Sequence, residues 1–377
     1  MSLINYLTRI HFADDVLEEA LLAETAALGI RRPLVVTDRG VLGAGLLDRL
    51  LDSFDSRTEP VVFSETPSNP TEAACRQAAE IFRGNDCDCL IGFGGGSSID
   101  LAKAAGILVS HDGALQSYAA VEGGTARIRD VLPPIIAIPT TAGTGSEVGR
   151  GALIILDDGR KLGLLSPYLI PKVAICDPTL TLTLPPLLTA GTGMDALTHC
   201  VETYIATAYN PPADGIALDG LRRAAANIER AVQKGSDLQA RREMMAAAMN
   251  GALAFQKGLG GVHAMSHALG GLAGYHLHHG TLNAVLLPHM LEFNAPAVSH
   301  RYTALKDAID LPRGDDLSEA LSRLSCRIGL PKKLAAMGVD RAAIEKAAPQ
   351  AEKDHTNGTN PRRATASDYL QLMSAAL

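Results

Sequence analysis

Five of the chain's eleven histidines fall in one short span: His263, His267, His276, His278 and His279. His263 and His267 are four residues apart, which on a helix puts both imidazoles on one face. Upstream, Asp195 and His199 have the same spacing. Two helices that each offer two ligand-type side chains can close around one divalent cation. Three imidazoles and a carboxylate, with no thiolate, suit Fe2+, Zn2+, Co2+ or Ni2+, and softness alone does not choose among these. A cation held this way polarises a substrate oxygen. A single Asp–His pair on a helix is often a plain surface pair; a second pair followed by His279–Gly280 is a different pattern.

Two other stretches suit a phosphate-bearing cofactor. Gly92–Phe93–Gly94–Gly95–Gly96–Ser97–Ser98 follows an apolar run and opens a helical pattern. Glycines let the backbone approach a ligand, and a helix N-terminus offers unpaired N–H groups to a pyrophosphate. The spacing is not GxGxxG, so the plain dinucleotide fingerprint is absent. Pro139–Thr140–Thr141–Ala142–Gly143–Thr144–Gly145–Ser146–Glu147 also follows an apolar run. Two such turns at the carboxyl ends of parallel strands form one crevice. Asp38 ends a third run, Val35–Val36–Thr37–Asp38. A carboxylate there can bind the hydroxyls of an adenosine ribose and repel a 2′-phosphate, which favours NAD over NADP; the competing role for Asp38 is a helix cap before Gly40.

These residues need a scaffold, and the chain supplies two kinds. Apolar strand patterns at 33–37, 61–63, 89–94 and 134–139 alternate with helical patterns at 41–51, 71–82 and 97–108. Continuous apolar strands between helices imply a parallel sheet covered on both faces. Further strand patterns at 152–156, 162–165 and 172–176 include a hairpin about Asp157–Arg160. After Thr181–Leu182–Thr183–Leu184–Pro185–Pro186 the strand signal stops, and helical periodicity runs through 213–232, 238–255, 261–272 and 317–328. The expected organisation is an α/β nucleotide-binding domain over 1–184, Rossmann-like with a parallel sheet, and an all-α metal-binding and catalytic domain over 185–377.

Composition narrows the partners. With 377 residues the chain is more naturally two domains than one. A net charge of -7 disfavours nucleic acid and anionic membranes. No apolar run is long enough to span a bilayer, and the N-terminal segment mixes acids into its apolar pattern, unlike a secretory signal. The six cysteines are scattered and form no CxxC pair. The expectation is a cytoplasmic protein with free thiols.

Taken together, the segments GGGSSID (94–100), PTTAGTGSE (139–147), DPTLT (177–181), GMDALTHCVE (193–202), GVHAMSHALGG (261–271), HGTLNAVLLPH (279–289) and NPR (360–362) resemble the iron-containing (group III) alcohol dehydrogenase family along nearly the whole chain. The resemblance implies the architecture shared with dehydroquinate synthases, with the site in the cleft between two domains. It implies that Asp195, His199, His263 and His279 bind the metal and that His267 lies close to nicotinamide and substrate. It implies cofactor contacts from Gly95, Gly96, Ser97, Thr140, Thr141 and Thr144, with Asn69 and Lys161 as further ones. It also implies a homodimer or larger assembly, NAD as cofactor, Fe2+ (or Zn2+) as the ion, and a small alcohol or aldehyde as substrate.

Three features depart from the family pattern. The span from His263 to His279 is two residues longer, which leaves His278 as the alternative ligand. Gly149 stands where threonine is usual. Lys257 replaces a small polar residue just upstream of the metal-binding helix. Lys257, with Arg150, suggests a pocket with a positive side and a substrate carrying a remote anion, such as a semialdehyde acid. The competing position for Lys257 is a solvated helix end. The rival activities within the architecture are a dehydroquinate-synthase-like elimination, for which the basic motifs are missing, and a maleylacetate-reductase-like reduction. A non-catalytic nucleotide-binding protein is the remaining alternative. Glu147 and Glu202 are candidates to hold a ligand histidine from behind, and Asp100 a structural bond to the glycine turn.

Overall fold

Short β-branched and apolar runs become strands buried on both faces. The computed structural model describes residues 8–377; residues 1–7, where the N-terminal segment considered above begins, lie outside the described residues. The chain separates into two units. The first takes the described residues up to Thr141 together with Ser146–Thr183; the second takes Ala142–Gly145 and Leu184–Leu377.

The first unit is α/β. Its strands are β1 (Arg9–Phe12), β2 (Pro33–Val36), β3 (Val61–Phe63), β4 (Cys89–Gly94), β5 (Ile135–Pro139), β6 (Gly151–Ile155), β7 (Lys161–Leu165) and β8 (Val173–Cys176). Six of them form one sheet in the order β1-β8-β5-β4-β2-β3, and all its pairs are parallel. Helices α1 (Leu17–Leu28), α2 (Arg39–Gly43), α3 (Leu46–Asp52), α4 (Glu72–Gly84) and α5 (Gly96–Ser110) connect the strands. Alternate strand residues enter two cores: Leu34, Val36 and Leu90 pack with residues of α4 and α5, while Val35, Ile91 and Ile136 pack with residues of α1 and α3. β6 and β7 form the separate antiparallel hairpin.

Two details differ from the sequence pattern. The helix expected over 41–51 is two helices, because Gly45 adopts φ 71° between them. The strand β1 gave no clear signal; it has four residues and pairs with β8, more than 160 positions away.

The second unit is helical: α6 (Pro186–Ile205), α7 (Pro211–Gln233), α8 (Leu238–Ala254), α9 (Gly261–Gly270), α10 (His279–Ala308), α11 (Leu317–Arg327), α12 (Arg341–Lys353) and α13 (Ala366–Ala375). All ten residues of α9 are buried, and α6 is mostly buried from Thr189 onward. A helix that is apolar or small on every side belongs inside. Glycines allow the close approach: a Cβ on Gly280 would lie 2.1 Å from the Gly191 carbonyl oxygen, so only glycine fits where α10 starts against α6. Ala142–Gly145, read from sequence as part of the α/β domain, instead packs with the helices; a Cβ on Gly143 would meet Thr192 of α6. Among the described residues no helix is long and apolar enough to cross a membrane. The six cysteines are free.

Candidate active site

In the helical unit, α6, α9 and the first residue of α10 bring four ligand-type side chains together. One carboxylate oxygen is the common point. Asp195 Oδ1 lies 3.8 Å from His199 Nε2, 3.7 Å from His263 Nε2 and 3.6 Å from His279 Nε2. The ligand atoms of Asp195, His263 and His279 all lie within 4.8 Å of one another. The His199 and His263 rings stack with centroids 4.6 Å apart, and Phe255 makes an edge contact with His199 at 5.3 Å. Asp195, His199 and His263 are buried, while His279 is partly open.

Asp195, His263 and His279 are grouped closely enough for one ion, with His199 Nε2 beside them at 3.8 Å from Asp195 Oδ1. Donors 2.0–2.2 Å from a tetrahedral centre stand roughly 3.3–3.6 Å from each other. The electrostatics fit as well. Burial raises the Asp195 carboxyl, but His199, His279 and His263 outweigh it and hold it well below the usual carboxylate range. Burial takes His199 down to about 4. Burial pushes His263 down too, yet Asp195 and Glu202 carry it up to about 9. Two buried carboxylates thus face one imidazole, a charge balance that a cation completes.

Glu202 holds His263 from behind. Its Oε2 is 2.5 Å from His263 Nδ1, and its Oε1 accepts the Val262 N–H at 2.7 Å. That bond keeps a hydrogen on Nδ1 and turns Nε2 toward Asp195. Asn360 accepts the Gly261 N–H at 3.0 Å, so two of the buried N–H groups at the start of α9 are satisfied by distant side chains. A Cβ at Gly260 would collide with both acceptors.

His278 does not join the cluster. Its Nδ1 accepts the Thr281 N–H at 3.3 Å as the cap of α10, and its ring rests against Gly191. His276 is exposed. His267 lies one turn beyond His263, stacked on His279 at 5.4 Å.

Sequence reasoning missed Asn283. Its amide Nδ2 donates to Asp195 Oδ1 at 2.7 Å and sits 3.3 and 3.2 Å from the Nε2 atoms of His263 and His279. Its Oδ1 is buried without a hydrogen-bond partner among the described residues. The signal was available, since Asn283 is i+4 from His279 on α10.

Lys257 requires a correction. Its ammonium is buried and donates to the Tyr204 carbonyl at 2.9 Å and to Asp214, which Arg301 also pairs. The charge is committed within the helices, so Lys257 serves neither as an open anion site nor as a solvated helix end. Arg150 is exposed in the other unit.

Of the cofactor candidates, Asp38, Gly95, Gly96, Ser97, Thr140 and Thr141 lie at the carboxyl ends of three adjacent strands of the α/β unit, β2, β4 and β5. Gly95 leads into α5 with no side-chain cap, leaving the first N–H groups of the helix for a ligand. Gly94 has φ 151°, and a Cβ there would lie 2.6 Å from Ser98 Oγ. The Thr141 side chain borders Gly95, the Thr140 N–H donates to the Gly94 carbonyl at 2.9 Å, and the Ser97 hydroxyl donates to the Ser68 carbonyl at 2.7 Å. Asp38 caps α2 by accepting from Gly40 and Val41, while its other oxygen accepts from Ser98 of the glycine turn at 3.2 Å. The cap expected as the competing role of Asp38 is thus formed, and both carboxylate oxygens accept hydrogen bonds within the unit. Lys161 Nζ donates to Asn69 Oδ1 at 2.9 Å, joining the β6–β7 hairpin to the Asn69 segment. Thr144 lies in the short segment that packs with the helices.

Beneath the turn, Lys103 is fully buried. It donates to the carbonyls of Ser146, Gly149 and Gly151 and to the Ser146 hydroxyl, all within 2.6–2.9 Å. Asp100 accepts from the Ser146 hydroxyl and the Leu153 N–H. The expected structural role of Asp100 thus extends to a lysine that ties the segment after Gly145 to α5. Burial raises Glu147 to about 7, and Lys103 partly offsets this.

Comparison with known proteins bears directly on this arrangement. Residues 8–178 match the model for iron-containing alcohol dehydrogenases, and residues 189–377 match the C-terminal model of the same family. The chain is 53% identical over 384 residues to a 4-hydroxybutyrate dehydrogenase of Cupriavidus necator, covering 100% of each. It is 38% identical over 362 residues to a 1,3-propanediol dehydrogenase of Citrobacter freundii, covering 93% of this chain and 92% of that protein. The solved alcohol dehydrogenase from Oenococcus oeni superposes with a TM-score of 0.93 at 32% identity, over 100% of both chains. The chain belongs to the iron-containing alcohol dehydrogenase family. It is accordingly an oxidoreductase acting on CH–OH groups.

Proposed function

We propose that this enzyme interconverts a small primary hydroxy acid and its aldehyde with NAD as hydride carrier, with 4-hydroxybutyrate and succinic semialdehyde as the leading pair. The carrying observation is the set of three imidazole nitrogens at 3.6–3.8 Å around one buried carboxylate oxygen. Full-length identity of 53% to a protein named for 4-hydroxybutyrate supports the substrate. In this reading Asp195, His199, His263 and His279 hold one divalent ion. Fe2+ is the ion the family name carries; three imidazoles and a carboxylate suit Zn2+ at least as well. When bound, the ion polarises the substrate oxygen and NAD carries the hydride.

The remaining work falls to the chain. Glu202 orients His263 through its Nδ1. Gly95, Gly96 and Ser97 present backbone donors to the pyrophosphate, and Thr140 and Thr141 flank it with hydroxyls. Asn69 and Lys161 act as one bonded pair toward the cofactor. Asp38 disfavours a 2′-phosphate by its charge. His267 takes the proton that leaves the substrate hydroxyl.

The test is a substrate screen on anaerobically purified protein, following NADH. The reading expects kcat/KM for 4-hydroxybutyrate to exceed that for 1-butanol and 1,3-propanediol by at least tenfold, with loss of turnover on chelation. Equal values for butanol and 4-hydroxybutyrate would overturn the substrate assignment. Turnover that survives complete metal removal would overturn the ion.

A further inference from the structure

His267 is buried, and its ring stacks nearly parallel to His279 and lies 5.7 Å from His263. On its other edge Nδ1 is 3.0 Å from Asp354 Oδ2. Asp354 sits where α12 ends, and its second oxygen is also engaged. Oδ1 accepts the Thr356 N–H at 2.8 Å and the Thr356 hydroxyl at 2.7 Å, which fixes the plane of the carboxylate. The following loop is equally fixed. Asn357 donates to the carbonyls of Glu352 and Ala364 and accepts from Ala364 and the buried Tyr369 hydroxyl. His355 stacks on the outer face of His267 at 5.9 Å. His267, Asp354 and His355 are close enough to hold an ion; in this structure Asp354 Oδ1 accepts two hydrogens from Thr356 and Oδ2 faces His267 Nδ1.

An ionised carboxylate only accepts hydrogen bonds. Burial raises Asp354, yet His267 and His355 outweigh it and keep the carboxylate ionised, which its geometry also requires: Oδ1 takes both Thr356 donors and Oδ2 faces His267 Nδ1 at 3.0 Å. The hydrogen of a neutral His267 must then sit on Nδ1, pointing at Asp354, and the lone pair must sit on Nε2. We infer that Asp354 is a positioning residue for the reaction: it locks His267 in the Nδ1–H tautomer so that Nε2 receives the substrate's hydroxyl proton. In that step the O–H bond breaks, an Nε2–H bond forms, and the electron pair stays on the substrate oxygen. The imidazolium produced has Asp354 3.0 Å away to balance it. This rests on the proposed role of His267 as proton acceptor.

Asp354→Asn tests it, because the amide keeps the shape but presents a donor or a weaker acceptor. Zinc-loaded protein with 15N-labelled histidine rings, with His267→Asn used to assign the signal, reports the tautomer directly. The expected result is hydrogen on Nδ1 in the wild type and on Nε2 in Asp354→Asn. The expected kinetics are a fall in kcat of roughly 10²–10⁴-fold, with KM for NAD and metal content within twofold and partial recovery in Asp354→Glu. An unchanged tautomer, or kcat within threefold, overturns the inference. If His267→Asn also leaves kcat unchanged, the proton role of His267 fails and takes the inference with it. If only His267→Asn collapses kcat, that role stands and Asp354 merely packs.

Discussion

Glu202→Gln isolates the orientation of His263, one of the four proposed metal ligands, without touching any of them. In the wild type Glu202 accepts from His263 Nδ1 at 2.5 Å and from the Val262 N–H at 2.7 Å. A glutamine can keep only one oxygen acceptor. If that oxygen stays on Val262, the amide NH2 faces His263 Nδ1 and drives the ring hydrogen to Nε2, the atom that faces Asp195. The lone pair needed for the ion is then lost unless the amide turns and abandons the Val262 N–H. Either way one charge-assisted bond goes, worth about 1.5–3 kcal/mol. At about 1.4 kcal/mol per tenfold, that is roughly 10- to 150-fold weaker binding of the ion, in line with the 10–100-fold cost commonly seen for residues behind metal-bound imidazoles. The assay is competition for Zn2+ or Co2+ against a chromophoric chelator, with circular dichroism to confirm that the helices remain. An affinity within twofold of wild type would refute the reasoning, because it would mean that His263 does not depend on its back-bond.

Other perturbations probe separate parts of the account. Gly280→Ala drives a Cβ to 2.1 Å from the Gly191 carbonyl oxygen, so α10 must shift; the variant should lose about 1–3 kcal/mol of stability and bind metal at least tenfold more weakly, checked by thermal melting and metal titration, and wild-type values would contradict the packing. Lys257→Ala should leave the ratio of kcat/KM for succinic semialdehyde over butyraldehyde unchanged while lowering Tm, since the ammonium is buried on Asp214; a tenfold fall in the ratio would restore Lys257 to the pocket. For Glu147, burial raises the folded value from 4.5 to about 7. The folded chain then holds more protons than the unfolded chain between these values, so this group's contribution to stability falls as pH rises through that window, by up to about 3 kcal/mol. Glu147→Gln should flatten this loss in urea unfolding at pH 5 and pH 8; parallel curves for wild type and variant would contradict it.

What the sequence could express was local. The i, i+4 pairs Asp195/His199 and His263/His267 follow from helical periodicity, and the turns after β4 and β5 follow from glycine and threonine at strand ends. The approach of Asp354 to His267 across 87 positions and of Asn360 to Gly261 across 99 left no local trace. The parallel sheet was legible from apolar runs, but β1 was not, because four residues at a sheet edge carry too little pattern. Lys257 misled for a related reason. Sequence shows that a lysine is near the metal helix, whereas its charge is settled by Asp214, 43 residues away and on another helix.

The central claim is that Asp195, His199, His263 and His279 share one cation. Cobalt titration of metal-free protein measures this directly through ligand-field absorption. The account predicts one tight equivalent per chain with a four-coordinate or five-coordinate spectrum, lost in Asp195→Ala and in His263→Ala but kept in His278→Ala. A spectrum unchanged by Asp195→Ala, or lost in His278→Ala, would contradict it.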